Sequence, residues 1–140
     1  MRWTALLVVA ALLAPAGEAA DKDRAALQGT WTVVAAEQDG QPLDRIKDNK
    51  LMISEDNFTI KTKTSELKGT MGLHPDIMPK GMDLMHSEGA ATGRIWYAIY
   101  SLAGDELKIC YADPNPLDQR AGEFATKAGT NTLLVTLKRE

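Results

Sequence analysis

The chain has 140 residues, a formal net charge of -3, one cysteine and two histidines. A mild charge spread along the chain, with no basic stripe, lacks the electrostatic footprint that nucleic-acid binding needs. A single cysteine excludes an internal disulfide, so the fold must be held by packing.

Met1 and Arg2 make a short basic start, and an unbroken apolar run from Ala5 to Ala14 follows. Small residues come next in PAGEAA, before the chain turns polar at Asp21. This order predicts a secretory signal peptide over 1–20, cleaved near Ala16, Ala19 or Ala20. The run falls short of the roughly 20 apolar residues a membrane span needs. Residues 21–140 are therefore expected to be an exported domain, periplasmic or extracellular, with no membrane span and enough length for a real core.

In DKDRAALQG, an Asp start, an apolar middle and Gly29 predict a short helical turn. From Thr30 the period becomes two, with Trp31, Val33 and Ala35 on one face. QDGQP is turn material, and LDRIKDN is a loop or brief helical turn. KLMIS and NFTIKTK are strands separated by EDN, a hairpin signal. SELKGTMGL and GMDLMH are strands joined by the Pro-bearing turn HPDIMPK. GRIWYAIYSL and DELKICYAD form the strongest pair, with a turn at Ala103-Gly104. DPNPLDQRAG, with two prolines, is a loop; GEFATKA is a weak strand and TLLVTLKRE a final one. About eight short strands and no long helix predict one all-β domain, a sandwich or a barrel.

The short helical turn leading into Gly29-Thr30-Trp31 resembles the G-x-W opening of lipocalin-like barrels. That resemblance implies a single antiparallel barrel whose Trp31 plugs one end, with an arginine from the last strand lying across it. Leu133, Val135, Leu137 and Arg139 share one face by period two, which places Arg139 for a cation–π contact with Trp31. LQGTWTVV, PKGMDL, IYSLAGDELKICYA and EFATKAGTNTLLVTLKRE are together similar to a family of small exported lipocalin-like domains abundant in planctomycete-type bacteria. The resemblance implies a fold and an exported location and supplies no chemistry. The chain departs from that pattern at Arg120-Ala121, where the family often has Arg-Pro, which loosens the loop there.

MGLHPDIMPKGMDLMH, from Met71 to His86, gathers both histidines and four of the six methionines. Sulfur and nitrogen donors of this kind suit a soft metal such as copper, with His74, His86 and Met82 as the candidate set and Met78 and Met85 nearby. Period two divides them, sending Met82, Leu84 and His86 one way and Asp83 and Met85 the other. Methionine also packs readily into cores, which is the plainer reading of Met82. No G-x-S-x-G, H-E-x-x-H or phosphate-cradling glycine loop is present, so no catalytic residue and no cofactor is assigned. Cys110, mid-strand in LKICYA, is read as a small buried hydrophobe. RIWYAIY is apolar on both faces, so its outer face must be covered or serve as a contact surface.

The expectation is an exported binding or interaction module, with a small apolar ligand or a protein as its partner. The inward set is Trp31, Val33, Met82, Leu84, Tyr97, Ile99, Leu107 and Ile109. Periplasmic soft-metal binding is the alternative, and an enzyme the third.

Overall fold

A computed structural model describes residues 16–112 and 120–140. The apolar run read as part of a signal peptide, and most of the two-proline loop, lie outside the described residues. One helix, α1 (Ala16–Leu27), precedes β1 (Gly29–Gln38), β2 (Gln41–Pro42), β3 (Lys50–Ser54), β4 (Asn57–Lys61) and β5 (Glu66–His74). β6 (Gly81–Glu88), β7 (Ile95–Ala103), β8 (Glu106–Ala112) and β9 (Thr132–Arg139) complete the chain. No helix among the described residues is long and apolar enough to cross a membrane.

Each strand from β3 to β9 pairs antiparallel with the next, and β9 returns to β1, closing an eight-stranded lipocalin-like barrel. β2 stands outside the ring, a two-residue extension paired to the end of β1. Closure leaves the wall without a free edge. That explains why GEFATKA does not form the expected strand: β8 is already paired to β9 on that side. Instead the segment lies across the outside, held by the Cys110 thiol at 3.8 Å from the Ala125 carbonyl and by Thr126. Thr126 receives the Gly40 N–H at 2.9 Å and donates to Glu37 at 2.6 Å.

The core occupies the barrel interior, where Trp31, Phe58, Met82, Leu107 and Leu27 are almost completely buried. Burying each such side chain contributes about 1.5–3 kcal/mol. An isolated helix as short as α1 is marginal in water, so its stability comes from docking. Leu27 enters the core, and its carbonyl accepts the Trp31 indole N–H at 2.9 Å. Gly29, at φ +118, makes the turn from helix to strand that a side chain would disfavour.

Two irregularities decide which residues face inward. Between Val33 and Ala35 the pairing of β1 with β9 shifts, so Ala36 and Gln38, not Ala35, continue the inner face. The expected uninterrupted alternation of Trp31, Val33 and Ala35 is therefore corrected by a β-bulge, which consumes one residue. A second shift follows Lys68, where a Cβ on Gly69 would sit 1.9 Å from the Met85 carbonyl oxygen. Only glycine allows that close approach.

Candidate functional site

One end of the barrel is closed and the other is open. At the closed end Trp31 and Arg139 are directly paired across β1 and β9. The Arg139 guanidinium lies 4.2 Å over the Trp31 ring and donates to the carbonyls of Gln28 at 2.8 Å and Ala26 at 2.7 Å. These are the orphan acceptors at the C-terminal end of α1, where a cation is favoured. Asp23 of α1 accepts from the Tyr100 hydroxyl at 2.5 Å and from Lys80 at 2.9 Å. Burial pushes the Asp23 carboxyl up, but those two hydrogen bonds and the nearby Lys80 and Lys22 charges outweigh it and leave its pKa below 3.8. Tyr100 moves the other way, because burial and then the Asp23 carboxylate disfavour the phenolate.

The open end holds a cavity of about 360 Å³. Its apolar wall includes Val33, Leu51, Leu84, Ile109, Leu133 and Val135, and Trp96 and Tyr111 stack beside it with ring centroids 4.5 Å apart. His86 packs on Trp96 at 4.1 Å and edge-on to Phe58 at 5.1 Å. The Trp96 side chain is buried, and its indole N–H has no hydrogen-bond partner among the described residues.

Two connections bring charge to this mouth. At the β1 bulge the Val33 N–H donates to the Asn49 carbonyl and the Asp48 N–H to the Val33 carbonyl, both at 2.9 Å. That clamp holds the 3-10 turn Asp44–Ile46, which contributes Arg45 and Ile46 to the lining. The β6–β7 connection is tied by the His86 N–H to the Arg94 carbonyl and the Gly93 N–H to the His86 carbonyl, again at 2.9 Å. It brings Ala90, Ala91 and Arg94 onto the lining as well. The charged lining residues are Arg45, Lys50 and Arg94; no Asp or Glu among the described residues lines the cavity. Lys50 turns its ammonium outward to Thr32 at 2.8 Å and to the Glu140 carboxylate.

Of the expected inward set, Val33, Leu84 and Ile109 line the cavity, and Trp31, Met82 and Leu107 fill the core. Tyr97 and Ile99 do not face inward. β7 runs in the opposite phase, presenting Trp96, Ala98 and Tyr100 to the interior. With both faces of RIWYAIY apolar, alternation could not select between them; the register with β6 does, setting Leu84 against Trp96 and Met82 against Ala98. Outside, the Arg120 guanidinium covers Tyr97 at 5.5 Å, and Ile99 is buried beside its partner Cys110. Burial raises the pKa of the Cys110 thiol, as the reading of a buried hydrophobe implies.

The soft-metal donors do not converge. His74 projects outward and bonds Asp83 at 2.9 Å, and Asp83 also meets Arg120 at 2.5 Å. His86 and Met82 face inward. They are separated along one strand by about 13 Å, too far to share an ion. Met78 is 90% exposed in the turn. Among the described residues no three His, Cys, Asp or Glu side chains are grouped to hold a metal.

Arg45, Arg94, Trp96 and Tyr111 were not singled out from sequence. Arg94 precedes β7 in the connection from β6, and Trp96 is the second residue of a strand whose two apolar faces do not say which is inside.

No protein-family model, curated protein or solved structure matches this chain. The reading of the site therefore stands on its geometry.

Proposed function

We propose that this protein is an exported, non-enzymatic binding module that takes a small apolar ligand into the open end of its barrel. The observation that carries the reading is the 360 Å³ cavity, which falls in the size range of small-molecule sites and has a largely aliphatic and aromatic wall. Export is supported by the basic start, apolar run and small-residue stretch over 1–20, and by the similarity of LQGTW and LLVTLKRE to the exported lipocalin-like family.

The test is equilibrium binding of N-phenyl-1-naphthylamine, a neutral apolar dye whose emission rises on leaving water. The protein is expected to bind it saturably at one site. Leu133→Trp, which places a larger ring on the cavity wall, is expected to weaken binding at least tenfold while circular dichroism stays unchanged. Absence of saturable binding to the unsubstituted protein, or equal binding by a folded Leu133→Trp variant, would overturn the reading.

A further inference from the structure

We infer that the cavity selects its occupant by length: it admits an apolar chain of about ten carbons, and Leu84 and Val33 on its floor set that limit. The inference rests on the binding reading above and adds the size class of the ligand.

The barrel is hollow only in the half nearer its open end. On β6 Leu84 lines the cavity, while Met82, two residues closer to the closed end, does not. The same boundary recurs around the wall. Val33 lines the cavity above Trp31 on β1, and Ile109 lines it above Leu107 on β8. Met82, Trp31 and Leu107 are each 0% exposed, so side chains fill the space beneath. On β7 the division falls between Trp96, which lines the cavity, and Ala98, which is core.

Strand register fixes where this floor lies. Val33 is set against Leu137 across β1 and β9, and Leu84 against Trp96 across β6 and β7. These four residues are buried as well as lining, so the floor is one face of the close-packed core and resists displacement.

Two measures of the space agree. From Leu133 near the mouth to Leu137 at the floor, β9 advances by roughly 13 Å of strand. At a strand tilt of about 40° this is roughly 10 Å of depth along the barrel axis. At about 30 Å³ for each water-sized group, 360 Å³ holds roughly a dozen non-hydrogen atoms. A medium-length alkyl chain with a small polar end meets both limits; a long lipid tail meets neither.

The test is a series of one chemistry and graded length: 1-hexanol, 1-octanol, 1-decanol and 1-dodecanol. Each is titrated against the full chain by displacement of N-phenyl-1-naphthylamine, with circular dichroism to confirm that each variant is folded. Affinity is expected to rise about fourfold for each methylene up to 1-decanol, as apolar burial predicts. 1-Dodecanol should bind no tighter than 1-decanol, because its last carbons stay in water. Leu84→Ala lowers the floor, so 1-dodecanol should then bind about fivefold or more tighter than 1-decanol. Val33→Phe raises the floor, and 1-decanol should then bind no tighter than 1-octanol. The larger ring grows into the cavity, so this variant tests the floor even where the truncation at Leu84 prevents folding.

A continued rise to 1-dodecanol in the unsubstituted protein would overturn the length limit and leave the apolar cavity standing. So would folded variants that weaken all four alcohols by one factor, or that leave the cut-off where it was. If the dye binds and none of the alcohols displaces it, the ligand class is wrong. If the dye does not bind either, the binding reading falls with it.

Discussion

At the closed end of the barrel Arg139 lies on Trp31 and uses its guanidinium on the carbonyls of α1, and Asp23 takes both Tyr100 and Lys80. At the open end Arg45 and Arg94 stand over an apolar cavity with no carboxylate on its lining among the described residues. The same residue type does different things in the two places. Arg139 saturates the backbone acceptors of a helix end and so locks a plug into place. Arg45 and Arg94 instead border the cavity at the open end. One end is thus closed by stacking and hydrogen bonds, and the other leaves a cavity.

Substitutions at the two ends should break or sharpen that contrast. Arg139→Ala removes the cation–π contact and the two carbonyl bonds together, and is expected to cost about 2–3 kcal/mol in urea denaturation. Arg139→Lys should recover only part of this, because a point charge cannot span both carbonyls. Asp23→Asn keeps an acceptor for Tyr100 but loses the charge pairing with Lys80, for an expected loss of about 1 kcal/mol at neutral pH. The folded-state pKa of Asp23 lies below its ordinary value of 3.8, so its contribution is present above that value and is lost as pH falls through the folded-state pKa. The stability gap between the unsubstituted protein and Asp23→Asn should thus be level near neutrality and close in acid. Arg45→Gln, at the mouth, should move stability by no more than about 0.5 kcal/mol, as an exposed substitution outside the core does. A large loss there, comparable to that at Arg139, would erase the distinction between the two ends.

Much of the wall was legible from residue order. All eight strands of the ring announced themselves through period two and turn residues, and the phase of β9 put Arg139 in line with Leu137 as it stands in the structure. β6 was equally clear, with Met82, Leu84 and His86 turned inward and Met85 outward. The failures share a cause. β7 is apolar on both faces, so its phase depends on which residues of β6 it meets. β1 changes phase at a bulge that leaves no mark in its composition. GEFATKA has strand-like character, but a strand needs an open edge, and the closed ring has none.

The stretch with both histidines shows the same limit from the chemical side. Its donors crowd together in sequence, yet a strand wall sends His74 to the outer surface and His86 into the aromatic cluster. Nearness along a chain becomes a site only when side chains point at one place, and in a sheet adjacent residues point apart. The cavity has the converse origin. Its lining residues are distributed from Val33 to Leu137, and the two arginines at its mouth are 49 positions apart in number, from 45 to 94.

What the sequence by itself determined is the all-β class, the order of the strands and the face that Leu137 and Arg139 share, because alternation and turn chemistry are local. Which face of β7 turns inward, where the barrel stays open and which charges meet there were decided only by the tertiary structure. They follow from strand register and ring closure, and these are set by contacts between residues far apart in the chain.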